Sequence, residues 1–101
     1  MPESPDNTVT DNAARSRYEL AAGDAIAFIE HVGEGDAVAF VHTEVPEAME
    51  GKGVGSKLVK GALDDVRRRG LKVVPRCPFV REYIARHPEY QDIAQPVPEE
   101  Q

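Results

Sequence analysis

Three segments in the first half of the chain alternate between apolar and polar residues. They are 17–22 ("RYELAA"), 25–32 ("AIAFIEHV") and 37–45 ("AVAFVHTEV"). A period of two residues is typical of strands that bury one face. Short turn sequences separate the segments, with Gly23-Asp24 after the first and "GEGD" after the second. The pattern therefore predicts an antiparallel meander of three strands.

The pattern becomes helical after Pro46, which ends the third strand. From Val54 or Ser56 to Arg69, apolar residues recur at intervals of three and four, which places them on one helix stripe. The stripe consists of Leu58, Val59, Ala62, Leu63 and Val66. Arginines in the last turn complement the helix dipole, and Gly70 is suited to a left-handed C-terminal cap. These features predict where the helix ends.

A fourth strand and a second helix follow. Residues 71–75 ("LKVVP") form a short apolar run, which we expect to pair in parallel with the third strand because a helix crosses between them. The sequence of residues 77–87 ("CPFVREYIARH") predicts a second helix. We expect it to end at His87-Pro88, because a residue before proline avoids the helical region. The order β-β-β-α-β-α predicts an α+β fold on a small mixed sheet.

The chain has 101 residues, enough for one small domain. We assign this domain to residues 17–94. Residues 1–16 are polar and lack periodicity, which predicts a disordered N-terminal lead-in, and the proline-rich residues 95–101 predict a frayed acidic tail. No basic and apolar leader of the kind that directs export is present at the N-terminus, so we expect a cytoplasmic protein.

Charge and composition narrow the possible partners. A formal net charge of −6 argues against binding to nucleic acid or to an anionic membrane, and no apolar run is long enough to span a bilayer. The single cysteine, Cys77, fits a reducing compartment, and no metal-ligand constellation is present. We expect a monomer or a weak dimer.

The glycine-rich loop before the first helix carries the strongest chemical signal. Glycines stand at positions 51, 53 and 55, where consecutive amides and a helix N-terminus can bind an anion, best a phosphate. Lys52, Lys57 and Lys60 surround the helix start, where cations are unfavourable unless an anion is present. The alternative is a tight turn that needs positive φ, with solvated lysines.

Two common nucleotide motifs do not fit this loop. A P-loop needs Gly-Lys followed by Ser or Thr, whereas the order here is Gly55-Ser56-Lys57. A dinucleotide fingerprint needs a third glycine where this chain has Leu58, and it also needs a larger parallel sheet. A plain phosphate- or nucleotide-binding domain remains an alternative.

The pattern x-x-Gly-x-Gly in "EGKGVG", residues 50–55, resembles the acetyl-CoA loop of the GCN5-related N-acetyltransferases. With "FVHTEVPEAMEGKGVGSKLV" around it and "LKVVPRCPFVREYIARHPEYQDI" after it, the chain is similar to the small single-domain branch of that superfamily from Tyr18 to Ile93. The resemblance implies a minimal acyl-CoA N-acyltransferase (GNAT) fold. It also implies acetyl-CoA as cosubstrate and an unidentified amine as acceptor. From the missing metal-ligand constellation we expect no metal.

The resemblance also implies where acetyl-CoA binds. Thr43 to Val45 would line the pantetheine arm. The pyrophosphate would lie on the loop residues Glu50, Gly51, Lys52, Gly53, Val54, Gly55 and Ser56. Two departures stand out: Glu50 replaces the usual Gln or Arg, and the N-terminal helices that shape a substrate pocket are absent. Both favour the alternative of a non-catalytic CoA-binding or regulatory module.

Acetyl transfer to an amine needs a base, donors for the oxyanion and an acid for the departing thiolate. His42 and Glu44 share a strand face and are candidate bases, unless His42 packs under the second helix. Cys77 stands at a predicted helix start, which stabilises a thiolate. It is therefore a candidate for the acid or for a nucleophile that carries the acetyl group. The alternative is that Cys77 is a buried residue that only packs in the core. Tyr83 is a second candidate acid or a core aromatic residue.

Overall fold

A computed structural model describes residues 9–22, 24–49 and 53–96. The strands are β1 (Val9–Asn12), β2 (Arg17–Ala22), β3 (Ala25–Glu34), β4 (Ala37–Glu44) and β5 (Lys72–Pro75), and the helices are α1 (Val54–Arg68) and α2 (Pro78–Arg86). The strands form one sheet in the order β1-β2-β3-β4-β5, in which β4 and β5 are parallel and the other pairs antiparallel. The predicted α+β fold with a mixed sheet is confirmed.

Helix α1 packs its apolar stripe against one face of the sheet. All five residues of the predicted stripe are fully buried, together with Leu20, Ile29 and Phe40 from the strands. Each valine, leucine, isoleucine and phenylalanine among them contributes about 1.5–3 kcal/mol by leaving water, so this contact dominates the stability of the domain. The helix ends at Arg68, and Gly70 has a φ of 74°, as the left-handed C-terminal cap requires.

The opposite side of the sheet is exposed near the end of β4. We call it the open face; Ile26, Phe28, Glu30, Val32, His42 and Glu44 lie on it. The buried residues of both helices all belong to the core cluster on the other side. Elsewhere on the open face, the small buried cluster consists of Ala37, Ala39 and Val74. None of the helices in the described ranges has the length and apolar character needed to span a membrane.

The N-terminal prediction was wrong for residues 9–16. Instead of a disordered lead-in, β1 pairs with β2 along its whole length and a helical turn follows it. The strand is held by residues distant in the sequence: Asp11 contacts His31 Nε2 at 2.9 Å and Arg69 at 3.1 Å. In the predicted tail, Gln95 donates its N–H to Val73 O, so fraying does not begin there. Residues 1–8 and 97–101 lie outside the described ranges.

A β-bulge in β4 sets the orientation of its last residues. Glu30 pairs with His42, whereas His31 pairs with Phe40, which leaves Val41 as an extra residue on β4. A bulge interrupts the alternation of side chains between the two faces. As a result Phe40 and Thr43 both face the helices, while His42 lies on the open face.

Candidate functional site

Strands β4 and β5 separate where β5 ends. Their parallel pairing stops at Phe40 and Pro75, but β4 continues to Glu44, where β3 is its only partner strand among the described residues. Cys77 closes the ladder by donating its N–H to Phe40 O at 2.8 Å. Beyond that bond the chain turns into α2, and no strand of the described residues pairs with β4 on this side. We call this gap in the strand pairing, between the end of β4 and the start of α2, the cleft.

The N-terminus of α1 lies at the mouth of this cleft. Gly53 caps the helix with a φ of 73°, a conformation that costs most other residues about 1–2 kcal/mol. The first amides of a helix have no partner within the helix and can therefore bind an anion. Of the predicted loop residues, Gly53, Val54, Gly55 and Ser56 are placed here, whereas Glu50, Gly51 and Lys52 lie outside the described residues.

A contact between Phe79 and Gly55 narrows the cleft. A Cβ atom on Gly55 would lie 2.7 Å from Phe79 Cζ and 3.5 Å from Val45 Cγ2, so the ring rests directly on the first turn of α1. The Phe79 side chain is 42% exposed. The sequence analysis did not identify Phe79 as part of the site. The available signal was that Phe79 falls off the spacing of Val80 and Ile84, which form the buried stripe of α2.

Two predicted site residues meet on the helix side of the cleft. Thr43 Oγ1 lies 3.2 Å from Cys77 Sγ, within hydrogen-bonding distance. Cys77 is only 5% exposed and occupies the N-cap position of α2, as the sequence suggested. The thiol therefore lies beside the last residues of β4, close to where the two parallel strands separate.

The two candidate bases lie on the other side of β4. His42 Nε2 is 3.4 Å from Glu44 Oε2, and the side chains are 51% and 60% exposed. The Phe28 ring lies 6.3 Å from the His42 ring. The prediction that His42 and Glu44 share a face is confirmed, and His42 does not pack under α2. Their roles as bases stay predictions.

Tyr83 belongs to a different group of side chains. Its ring stacks on His87 at 3.9 Å and lies 6.1 Å from Tyr90. Burial raises the pKa of the Tyr83 phenol, while the Lys60 charge lowers it, with a net increase above 10.0. Within the described part of the chain, no polar or ring contact joins Tyr83 to Cys77 or Thr43. The structure thus does not bring Tyr83 into the Thr43–Cys77 pair.

One lysine at the helix start, Lys60, has a local partner. Lys60 Nζ contacts Asp64 Oδ2 at 3.0 Å across one helical turn, and this bond raises the pKa of Lys60. Asp64 also accepts a hydrogen bond of 2.7 Å from the Tyr90 hydroxyl. Lys60 therefore does not require a bound anion, and Lys52 lies outside the described residues. Across 9–22, 24–49 and 53–96, no group of His, Cys, Asp and Glu side chains is arranged to hold a metal ion.

A family model described as GCN5-related N-acetyl-transferase matches residues 17–93. The chain belongs to the GCN5-related N-acetyltransferase family. The matched range starts at the first residue of β2 and ends shortly after α2, so it contains the cleft and excludes β1. This family generally uses acetyl-CoA as cosubstrate. The resemblance seen in the glycine loop is therefore confirmed at the level of the family.

Curated relatives agree with this assignment. The chain is 35% identical over 74 residues to a protein named NATD1 from Xenopus tropicalis, covering 71% of this chain and 67% of that one. It is 36% identical to NATD1 from Homo sapiens, covering 71% and 65%. The chain thus spans about two thirds of the length of these relatives.

A solved structure shows the same fold. The solution structure of a GCN5-like putative N-acetyltransferase from Staphylococcus aureus superimposes with a TM-score of 0.71 and covers 95% of both chains at 21% identity. This GCN5-related family member therefore shares its complete architecture with a protein of very different sequence.

Proposed function

We propose that this protein binds acetyl-CoA in the cleft between β4 and α2 and transfers the acetyl group to an amine. The observation that carries the proposal is the separation of β4 from β5 beyond Phe40 and Pro75. The free edge of a strand can pair with the amides of an extended ligand, as pantetheine requires. The chain's membership of the family supports the same cosubstrate.

The pyrophosphate would bind at the start of α1. Left-handed Gly53 directs the chain into the helix, and the amides of Val54, Gly55 and Ser56 precede the first intrahelical bond. Phe79 would form an apolar wall beside the pantetheine arm, because its ring contacts the first turn of α1 at Gly55, which Val45 also approaches. Thr43, at the edge of β4, would line the wall opposite Phe79.

Deprotonation of the amine and protonation of the CoA sulfur would take place on opposite sides of β4. The amine nitrogen attacks the thioester carbonyl from the open face, and its proton passes to Glu44 or His42. As the carbon–sulfur bond breaks, the CoA sulfur takes a proton on the helix side, where Cys77 is the candidate donor because it lies beside Thr43. Solvent then reprotonates Cys77. This division fits the placement of Cys77 and the two bases on opposite sides of the strand.

Transfer through Cys77 is the other route. Its sulfur would attack the thioester, CoA would leave as the thiol, and the amine would then take the acetyl group from Cys77. The burial of Cys77 favours direct transfer, because an acetyl group on a 5% exposed sulfur would be hidden from an amine on the open face. Mass spectrometry of acid-quenched protein after mixing with acetyl-CoA distinguishes the routes: only the second leaves an acetyl group on Cys77.

The binding part of the proposal is tested by amide chemical-shift titration with acetyl-CoA, CoA and ATP. We expect shifts centred on Thr43 to Ser56 and on Cys77, larger for both CoA species than for ATP. Gly53→Asp should abolish them, since it places a carboxylate at the phosphate position. Gly35→Asp is the matched control, because Gly35 also has a left-handed φ, 65°, and open space around its missing Cβ, but lies in the β3–β4 turn.

Two results would refute this site: normal CoA binding by folded Gly53→Asp, or equal loss of binding in both variants. The transfer step is measured separately as CoA thiol released in the presence of amines. If the protein binds CoA but releases no CoA thiol from acetyl-CoA with any amine, it is a CoA-binding module without catalytic activity.

A further inference from the structure

The backbone of Cys77 is held by hydrogen bonds on both sides of the residue. Its N–H donates to Phe40 O at 2.8 Å, and its carbonyl oxygen accepts the N–H of Arg81 at 3.0 Å. These bonds tie Cys77 to β4 and to the first turn of α2, and its side chain is buried. The backbone therefore cannot carry the sulfur into the cleft without breaking one of them.

One side chain links this buried sulfur to the strand that borders the cleft. Thr43 Oγ1 lies 3.2 Å from Cys77 Sγ and is its only hydrogen-bond partner among the described residues. Thr43 is half-buried. It lies on β4 beyond Phe40, where the parallel pairing with β5 has ended. Thr43 is thus the partly exposed member of the pair.

The hydroxyl of Thr43 can accept one hydrogen bond and donate another, because it carries one hydrogen and two lone pairs. In its contact with Cys77 either atom can be the donor. When Cys77 donates its S–H, the hydroxyl hydrogen of Thr43 is available to a second acceptor. When Thr43 donates instead, it stabilises a negative charge on the sulfur. These two orientations are the states before and after a proton moves.

We propose that the Thr43 hydroxyl passes the proton of Cys77 to the CoA sulfur. As the carbon–sulfur bond of the thioester breaks, its electron pair goes to the CoA sulfur, which takes the hydroxyl proton of Thr43. The Thr43 oxygen takes the S–H proton of Cys77 in the same step, and Cys77 keeps the electron pair as a thiolate. This inference rests on the proposed function, since it names a further catalytic residue of the same transfer.

The thiolate is stabilised where it forms. Thr43 donates its new hydroxyl hydrogen to it, and Cys77 occupies the N-cap of α2, where the partial positive charge of the helix favours an anion. After the CoA thiol leaves, water returns a proton to Cys77 through the same hydroxyl. A buried thiol can thus act as the acid without being exposed to the cleft.

The hydrogen bond is tested first, without any dependence on transfer. Cys77 is the only cysteine of the chain, so the Raman spectrum contains a single S–H stretching band. A hydrogen bond that the thiol donates lowers the frequency of this band. Thr43→Val replaces the hydroxyl with a methyl group and should raise the frequency, whereas Thr10→Val, the same change on β1, should not. An unchanged band in Thr43→Val would overturn the proposal.

The proton transfer is then tested by kinetics. Thr43→Val should lower kcat about tenfold or more at an unchanged Kd for acetyl-CoA, because general acid–base catalysis contributes about 10²–10⁴-fold. Thr43→Ser keeps the hydroxyl and should restore most of the activity, and Thr10→Val should keep the original kcat. Equal losses in Thr43→Ser and Thr43→Val would mean that the shape of threonine matters rather than its hydroxyl, and would overturn the proposal.

The dependence of Thr43 on Cys77 is tested by combining the two substitutions. Thr43→Val with Cys77→Ala should be no slower than the slower single variant, because both changes interrupt the same path. If the two losses multiply, Thr43 acts independently of Cys77 and the proposal is wrong. An acetyl group found on Cys77 by mass spectrometry would also overturn it, since the sulfur would then be the nucleophile.

Failure of this inference differs from failure of the proposed function. Transfer at the original rate by Thr43→Val would support the proposed function and overturn the role of the Thr43 hydroxyl. A protein that releases no CoA thiol from acetyl-CoA with any amine would overturn both, whatever the frequency of the S–H band.

Discussion

Gly61 lies in the middle of α1, where alanine would ordinarily stabilise the helix. A Cβ atom at this position would lie 2.5 Å from Val9 Cγ2 and 2.7 Å from Val9 Cβ, because β1 crosses the helix there. Ordinary carbon contacts are about 3.5–4.0 Å, so Gly61→Ala requires β1 to move by about 1 Å. The Cβ atom of Val9 is fixed to the backbone, so rotating the side chain does not remove the overlap.

The two opposing effects have similar sizes. Replacing glycine by alanine inside a helix favours folding by about 1 kcal/mol, whereas overpacking costs about 1–3 kcal/mol. Displacing β1 also weakens the contacts of Asp11 with His31 and Arg69. We therefore expect Gly61→Ala to be destabilising by about 1 kcal/mol, which corresponds to a decrease in Tm of about 4–8 °C for a domain of this size.

The assay combines denaturant unfolding with hydrogen exchange of the β1 and β2 amides. Val9→Gly provides the control background, because it removes the overlapping side chain. In that background Gly61→Ala should be stabilising by about 1 kcal/mol, as helix propensity alone dictates. The double-mutant cycle should thus give a coupling energy of about 2 kcal/mol.

The reasoning is refuted if Gly61→Ala stabilises the original protein as much as it stabilises Val9→Gly. That result would mean that Val9 of β1 does not overlap with a Cβ atom at position 61 of α1. Faster exchange confined to β1 and the edge of β2 would instead show that the strand moves away while the core remains intact.

Three further predictions concern the site and the core. Cys77→Ala should leave acetyl-CoA affinity unchanged and lower transfer; equal turnover in Cys77→Ala and the original protein would remove the thiol from the mechanism. Glu44→Gln should lower kcat at least tenfold at constant CoA affinity if Glu44 is the base, because general-base catalysis contributes about 10²–10⁴-fold; an unchanged kcat leaves His42 as the candidate. Tyr18→Phe removes a 2.6 Å hydrogen bond to Asp65 and should cost about 1.5–3 kcal/mol at neutral pH, measured by denaturant unfolding. Burial raises the pKa of Tyr18 above 10.0, and Asp11 adds to the increase, so this stabilisation is complete below pH 10 and is lost as the pH rises through the folded-state pKa. The difference between the two proteins should shrink over that range, and a constant difference would contradict the assigned shift.

Much of the candidate site could be anticipated from local sequence. The glycine loop, the end of β4 and the start of α2 are each recognisable within a few residues, and Thr43 and Cys77 do meet. Tyr83 was grouped with them on its helix position alone. The rotation of α2 directs it to His87 and Tyr90, and that rotation depends on contacts across the core.

The sequence by itself determined the elements from β2 to α2, because periods of two and of three to four residues are local consequences of burying one face. It also determined the end of α1, since Gly70 adopts a left-handed φ without steric cost. Only the tertiary structure decided three other features. These are the addition of β1 to the sheet, the bulge that turns Thr43 toward the helices and His42 to the open face, and the contact of Phe79 with Gly55. Each depends on residues far apart in the chain, whose proximity no local pattern encodes.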